Sequence, residues 1–195
     1  LQWNRTYSDV NESGTFKSMI IDSQDNIYLL ANVVQNIGGD IYNLYRLIKY
    51  NNLGEFQLKQ DISNSWFIEF YSIAVDSSDN IYVAGKIQPS TEDIGDFYLK
   101  KVDNLGKEKW SYSWNVNTGD YCYVVDLNSV DDIFVAGITV GNLYVAKFEE
   151  KPPSEKKVSE IASYEPLILI SILFATSIII IISKTKKAMI KKQTK

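Results

Sequence analysis

The sequence predicts an all-β protein built from a repeated four-stranded unit and followed by one hydrophobic C-terminal helix. Two observations support this prediction. An apolar strand, an Asp/Asn-rich turn and a second apolar strand occur three times, at residues 18–31, 72–85 and 124–137. An uncharged run of eighteen residues lies near the C-terminus, at residues 166–183. The nearly constant spacing of the three copies is typical of repeat proteins, in which each unit buries its apolar face against the next.

A second motif keeps the same spacing and places a lysine at one position of every unit. YRLIKYNNLGEF at residues 45–56 corresponds to FYLKKVDNLGKE at 97–108, and LYVAKFEE at 143–150 matches the first half of both. The aligned lysines are Lys49, Lys101 and Lys147. The Asn-Leu-Gly segment of the two longer copies predicts a hairpin turn in which glycine takes a positive φ.

Each period contains four short strand candidates. In the second unit they are residues 70–76, 80–88, 96–103 and 107–114. Strand-favouring residues fill these segments, and Asp, Asn, Ser and Gly separate them. Four strands in about 50 residues are typical of a β-propeller blade. We therefore predict about three propeller blades in residues 1–150, an incomplete ring because closed propellers have about four to eight blades.

The ends of the repeated region leave two arrangements open. The third unit reaches its third strand at Phe148 and then meets Lys151-Pro152-Pro153, which cannot extend a central strand. LQWNRTY at residues 1–7 resembles a fourth strand, with Trp3 aligned with Trp110. This segment either closes the third blade or belongs to a preceding one.

The C-terminal quarter predicts a membrane anchor. Residues 151–165, rich in Pro, Ser, Glu and Lys, are expected to form an extended stalk. Eighteen helical residues at 166–183 would span about 27 Å, close to the thickness of a bilayer core. The lysines of 184–195 predict a cytoplasmic tail. The sequence therefore predicts a single-pass cell-membrane protein whose N-terminal part is extracellular.

Charge is divided in the same way along the chain. Residues 1–165 contain all 24 acidic residues but only 14 of the 20 basic ones, which gives this part a net charge of −10. Six lysines follow the hydrophobic run. An acidic body argues against nucleic acid as a partner of the folded part.

DSSDNIYVAG at residues 76–85 resembles the repeat of SBBP-type β-propellers, which are related to NHL propellers and are common in bacterial and archaeal surface proteins. That pattern is an apolar strand, Asp, two small residues, Gly-Asn and then Ile/Val-Tyr-Val-x-Gly, so Asp79 stands where the family usually has glycine. The resemblance recurs in register over about residues 1–150 and implies a propeller fold. The stalk, single span and basic end together resemble the C-terminal anchors of archaeal surface proteins.

Composition excludes several kinds of chemistry. Histidine is absent, which removes the commonest general base and zinc ligand. Cys122 is the only cysteine and is expected to be a small hydrophobic residue within a strand. No phosphate-binding loop or nucleophile elbow is present, and the carboxylates recur in every unit, whereas a catalytic residue is usually unique. We predict no catalytic residue, no cofactor and no enzyme activity within this chain.

Three kinds of candidate site follow from the residues. Asp76, Asp79 and Asn80 offer oxygen ligands for Ca²⁺, although the same side chains also cap turns without any metal. Asn4 and Asn11 begin N-glycosylation sequons. Abundant aromatic residues offer a platform for a glycan or peptide, or else serve the packing between blades. The aromatic candidates are Trp66, Trp110, Tyr112, Trp114, Tyr121 and Tyr123.

Taken together, these features predict a membrane-anchored surface propeller that acts as a non-catalytic binding or adhesion module for an extracellular glycan or protein. Two alternatives stay open: the C-terminal part of an extracellular enzyme whose catalytic residues lie outside this chain, and a structural component of a surface layer.

Overall fold

The computed structural model describes residues 2–9, 11–88, 90 and 94–148, together with the backbone of 159–160. The predicted stalk, membrane helix and tail otherwise lie outside these residues, so their boundaries stay predictions. The described residues form twelve strands in three sheets. The first sheet contains β1 (Glu12–Ile21), β2 (Ile27–Ile37), β3 (Asp40–Tyr50) and β4 (Phe56–Ser63). The second contains β5 (Ile68–Val75), β6 (Ile81–Ile87), β7 (Asp96–Val102) and β8 (Glu108–Trp114).

The third sheet contains β9 (Tyr121–Leu127), β10 (Ile133–Thr139), β11 (Asn142–Phe148) and the short β12 (Ser159–Glu160). Every sheet is an antiparallel meander in chain order, as a four-stranded repeat requires. The strands predicted for the second unit agree with β5 to β8 to within two residues at each end. Within the described part of the chain, no helix is long and apolar enough to cross a membrane.

The second sheet is buried on both faces because its side chains alternate between two hydrophobic clusters. Ile81 and Val83 pack toward the first sheet. Tyr82 and Ala84, which alternate with these residues along β6, pack toward the third sheet. A strand covered on both faces reads as a continuous apolar run, which is the pattern of Ile-Tyr-Val-Ala-Gly in β6. Ile81 and Val83 therefore share one packed face of the second sheet.

The first strands of the three sheets, β1, β5 and β9, lie next to one another. Each contains a one-residue bulge at the same place in the repeat, at Lys17, Tyr71 and Tyr123. A bulge leaves one residue out of the ladder and re-aims its side chain. Lys17, Tyr71 and Tyr123 therefore form a row along three adjacent strands, which we call the inner-strand row.

The bulge also explains the glycine that ends the repeated motif. A Cβ atom on Gly85 would lie 1.8 Å from the backbone oxygen of Glu69, and one on Gly137 would lie 1.9 Å from that of Tyr121. Neither glycine has a positive φ, so close approach of two backbones is the reason for glycine here. In the first sheet the equivalent residue is Ala31, opposite Phe16.

Residues 2–9 cross the outer face of the first sheet. The Trp3 ring covers Gly54, and its indole donates a hydrogen bond to the Asn52 carbonyl at 3.2 Å. Gln60 of β4 covers Gly106 of the second sheet in the same way. The N-terminal segment therefore takes the place that the fourth strand of a preceding blade would take. This agrees with the second arrangement left open by the sequence, while β12 pairs with β11 in the third sheet.

A buried ion-pair network fixes this segment to the first sheet. Arg46, on β3, is only 2% exposed and contacts Glu12 at 2.7 Å and Asp61 at 2.5 Å. Its guanidinium also donates to the Tyr7 hydroxyl at 3.0 Å. A buried guanidinium is tolerated because paired carboxylates and several hydrogen bonds satisfy it. The network joins Tyr7 to β1, β3 and β4.

Candidate functional site

The Asp/Asn turn joins the first and second strands of each blade and is capped by its own side chains. The Asp76 carboxylate accepts hydrogen bonds from the backbone of Ser78 at 3.0 Å and of Asn80 at 2.8 Å, and from the Asn80 amide. Asp22 makes the corresponding bonds in the first blade, and Asn128 caps the third turn. The interpretation of Asp76 and Asn80 as turn-capping residues is confirmed by these contacts.

The repeated lysine pairs with an aspartate of the turn in every blade. In the first two blades this aspartate is the capping residue, and in the third it is Asp132. Lys101 Nζ lies 2.8 Å from Asp76 Oδ2 and 4.7 Å from the centre of the Tyr82 ring. Lys49 contacts Asp22 and Tyr28, and Lys147 contacts Asp132 and Phe134, with the same arrangement. Burial opposes ionisation of Asp76, but hydrogen bonds from Lys101 and Asn80 outweigh it and lower the pKa of the carboxyl. A salt bridge and a cation–π contact thus explain the lysine position.

These contacts favour turn capping over calcium binding at Asp76, Asp79 and Asn80. An ammonium group already occupies the place beside the Asp76 carboxylate that a cation would need. The carboxylate of Asp79 instead points to the neighbouring blade. Among the described residues, no group of three His, Cys, Asp or Glu side chains is arranged to hold a metal ion.

Asp79 links two blades. Its φ is +61°. The equivalent residues Asp25 and Asp131 have φ values of +61° and +62°. This left-handed conformation explains why the SBBP pattern has glycine at the position, and Asp is among the residues that tolerate it. Asp79 accepts hydrogen bonds from the backbone and hydroxyl of Ser23 at 3.0 and 2.9 Å, and Asp131 accepts the same two bonds from Ser77. The sequence did not predict this contact between blades.

Three of the six aromatic candidates serve packing. Trp110, Tyr112 and Trp114 of β8 lie in or against the core between the second and third sheets. Trp114 stacks on Phe97 with ring centres 5.1 Å apart and donates its indole hydrogen to the Tyr144 hydroxyl at 3.3 Å. Trp66 lies in the loop between β4 and β5 and is exposed. These four residues do not come together as one platform.

Tyr121 and Tyr123 do come together, and Tyr71 completes the group. The Tyr121 and Tyr123 rings are nearly parallel, with centres 5.9 Å apart and planes 16° apart. The Tyr71 ring lies 5.1 Å from that of Tyr123 across the junction between the second and third blades. Tyr71 is not among the aromatic candidates predicted from the sequence, although it aligns with Tyr123 in the repeat. We call these three residues the tyrosine cluster.

Charged groups border the tyrosine cluster. Lys86 Nζ lies 4.8 Å from the centre of the Tyr121 ring and 3.0 Å from Glu69. The Tyr71 hydroxyl donates to Glu69 at 2.7 Å. Burial and this bond raise the pKa of Tyr71, so its hydroxyl stays protonated. Burial alone would raise the pKa of Glu69, but hydrogen bonds from Tyr71 and Lys86 lower it, so the carboxylate stays ionised. Flat rings beside fixed donors and acceptors suit a polar ligand with apolar faces.

The remaining candidates are also placed by the structure. Asn4 and Asn11 are both exposed, as a glycosylation acceptor must be. Cys122 is fully buried in β9, and burial raises the pKa of its thiol to about 12. A thiol in this environment is unreactive, in agreement with the expectation that Cys122 is a packing residue.

Four-stranded antiparallel sheets packed face to face, with their first strands adjacent, are the blades of a β-propeller. Comparison with known families gives the same class. Residues 68–88, which contain β5, the capped turn and β6, match the model of a family described as SBBP, a beta-propeller repeat. Comparison with curated proteins finds none that matches the chain. The chain therefore contains, at residues 68–88, a propeller repeat similar to that of the SBBP family, and this fold suggests a binding or scaffold module.

Proposed function

We propose that this protein is a non-catalytic surface binding module whose ligand contacts the tyrosine cluster. The observation that supports this proposal is that Tyr71, Tyr121 and Tyr123 meet on the bulged inner strands, where Tyr123 stays 42% exposed. The aromatic residues of β8, in contrast, are used in packing. Exposed aromatic side chains that no core requires are characteristic of recognition surfaces.

The ligand class that fits this surface best is a glycan. A sugar ring has C–H faces that pack on the parallel Tyr121 and Tyr123 rings, and hydroxyl groups that need polar partners at the edge. Lys86 supplies donors there, and Glu69 supplies acceptors. Because Lys86 and Glu69 already hold each other and Tyr71 in place, little conformational entropy would be lost on binding.

We further propose that the module is displayed outside the cell. The uncharged run 166–183, followed by the lysines of 184–195, would anchor it with the propeller outside. The exposed sequons at Asn4 and Asn11 are compatible with this topology. The resemblance to archaeal C-terminal anchors supports the same arrangement.

Neither alternative function is favoured by a specific observation. Among the carboxylates that recur in the turns, Asp22 and Asp76 cap their turns and pair with lysine. Asp79 and Asp131 bind serine of the preceding blade, so these groups are used in structural contacts. A purely structural surface-layer role predicts self-association without a ligand. It differs from our proposal because it gives the tyrosine cluster no task.

The test is binding of the 195-residue chain, held in a mild detergent, to a glycan array and a peptide library. Tyr123→Ala should weaken glycan binding about tenfold or more, as expected for a central aromatic contact. Tyr42→Ala is the matched control because Tyr42, on β3, is also 42% exposed but lies outside the cluster. It should leave binding unchanged. Binding of peptides alone, equal effects of the two substitutions, or no binding at all would contradict the proposal.

A further inference from the structure

The two junctions between blades are built from the same contacts. At each one, an Asp in the later blade accepts two hydrogen bonds from a Ser in the earlier blade, first Asp79 with Ser23 and then Asp131 with Ser77. An apolar face of the later blade covers an apolar face of the earlier one. Each blade therefore has a serine side, which faces the next blade, and an aspartate side, which faces the previous one.

The first and third blades each leave one half of this contact unused. Asp25 has the same turn position and φ as Asp79 and Asp131, and Ser129 aligns with Ser23 and Ser77. Among the described residues, neither the Asp25 carboxylate nor the Ser129 hydroxyl forms a hydrogen bond or ion pair. The two side chains are complementary, since one accepts the bonds that the other donates.

The sheet face beside Asp25 is only partly covered by residues 2–9. Phe16 is 62% exposed and Met19 is 54% exposed. The residues at the same positions in the second blade, Phe70 and Ile73, are 0% and 4% exposed because the first blade covers them. Exposed apolar side chains at positions that are buried elsewhere in the same repeat mark a surface for association.

The face beside Ser129 shows the same contrast. Leu143 is 52% and Val145 is 43% exposed, whereas Phe97 and Leu99 at the same positions in the second blade are 0% and 1% exposed. One hydrogen bond of the junction between the second and third blades cannot form at the open face of the third blade. Ser72 Oγ accepts a hydrogen bond from the Val125 backbone, and the residue aligned with Ser72 in the third blade is Val124. The open junction is therefore more apolar than the internal ones.

We propose that a second copy of the chain covers both faces, head to tail. The first blade of one copy packs against the third blade of the other, with Asp25 accepting hydrogen bonds from Ser129 of the other copy. A chain that carries both halves of one interface associates with itself, and two copies satisfy every half when they are related by a twofold axis. The resulting ring has six blades, within the range of closed propellers.

The N-terminal segment fits this arrangement. Residues 2–9 already occupy the place of a preceding blade's fourth strand, with Trp3 on Gly54. The exposed residues Phe16 and Met19 lie on β1, next to the place of the inner strands of such a blade. Strands β9 to β11 of the other copy would fill that place. Residues 2–9 would then take the position beside β11 that the short β12 occupies within a single copy. This inference does not depend on the tyrosine cluster or its ligand.

The first experiment is the mass of the 195-residue chain in a nonionic detergent, measured by sedimentation over a wide range of concentration. We expect a dimer, with twice the protein mass of 22.2 kDa. Ser129→Asp places a like charge opposite Asp25 and should raise the dissociation constant about tenfold or more. Val130→Asp adds the same charge one residue further along the same exposed turn and should leave the dimer intact.

The second experiment establishes the orientation. Asp25→Cys mixed with Ser129→Cys should give a disulfide-linked dimer on a non-reducing gel, whereas either variant alone should not. The native Cys122 does not interfere because it is fully buried. A chain that stays monomeric, a dimer that Ser129→Asp leaves unchanged, or cross-links within one variant alone would overturn the proposal. The last two outcomes would indicate association through the hydrophobic run or another surface.

Discussion

At the scale of single residues, Asp79 combines an unfavourable backbone with favourable contacts. Its φ of +61° costs most residues about 1–2 kcal/mol, and Asp only part of that. Its carboxylate then accepts two hydrogen bonds from Ser23 of the preceding blade. A glycine here would fit the turn but could not reach the neighbouring blade. Asp79 therefore exchanges some local strain for a connection between blades.

Asp79→Ala should lower the free energy of unfolding by about 2 kcal/mol more than Asp25→Ala does, since two hydrogen bonds are worth about 1 kcal/mol each. Asp25 is the matched control because it has the same φ and turn without an internal partner. Both substitutions are made on the Ser129→Asp background, which keeps copies of the chain apart. Urea unfolding followed by tryptophan fluorescence measures the difference.

Equal losses of stability in the two variants would show that the contact with Ser23 contributes nothing. Asp79→Gly separates the two effects further. It relieves the backbone strain but removes the same two hydrogen bonds, so it should destabilise less than Asp79→Ala. A gain in stability with Asp79→Gly would mean that strain outweighs the contact with the neighbouring blade.

At the scale of secondary structure, the bulge in the first strand of each blade determines which side chain enters the inner-strand row. It places Tyr71 and Tyr123 in the inner-strand row, and it brings the backbone of β5 against Gly85 of β6. In the third blade the same irregularity accompanies Gly137 on one strand and the exposed ring of Tyr123 on the other. Bulges beside recognition surfaces commonly re-aim side chains in this way.

Gly85→Ala should destabilise the protein by about 2–4 kcal/mol because its Cβ would overlap the Glu69 backbone oxygen. Gly14→Ala is the control. Gly14 also lies in a strand, but its nearest neighbour would be 3.7 Å from the new Cβ, so the change should be neutral or stabilising by about 0.5 kcal/mol. Thermal and urea unfolding measure both. A tolerated Gly85→Ala would mean that the second blade opens at the bulge, as the first blade does for Ala31.

The strands and turns were predictable because their causes are local. Alternating apolar residues bounded by Asp and Asn specify a hairpin. Asp76 caps its own turn by accepting a hydrogen bond from the backbone of Asn80, only four residues further along the chain. The contact between Asp79 and Ser23 spans 56 residues and depends on how the blades meet, which no local pattern shows. Tyr71 carried a usable signal, since it aligns with Tyr123 in the repeat. Trp114 was ambiguous because exposure and packing favour the same residue types.

At the scale of the whole molecule, the sequence divides into an acidic repeat region and a hydrophobic run with a basic end. The repeat region has a net charge of −10 when the stalk is included, and six lysines follow residue 183. Lysines beside a spanning helix are retained in the cytoplasm. The blades, with their open faces and tyrosine cluster, would then all lie on the outer side, where a glycan ligand is available.

The membrane prediction is tested by deleting residues 166–183. The complete chain should stay with the membrane fraction after alkaline carbonate extraction, because about eighteen apolar residues suffice to span the bilayer core. The deletion variant should be released. Replacing the six C-terminal lysines with glutamate, while keeping the hydrophobic run, should leave the chain in the membrane. It should lower the fraction of molecules whose blades face outward, which protease access to the blades measures. Release of the 195-residue chain by carbonate would contradict the predicted membrane anchor. The contacts that Asp79 and Asp131 make between blades do not depend on that anchor, because they lie within the described repeats.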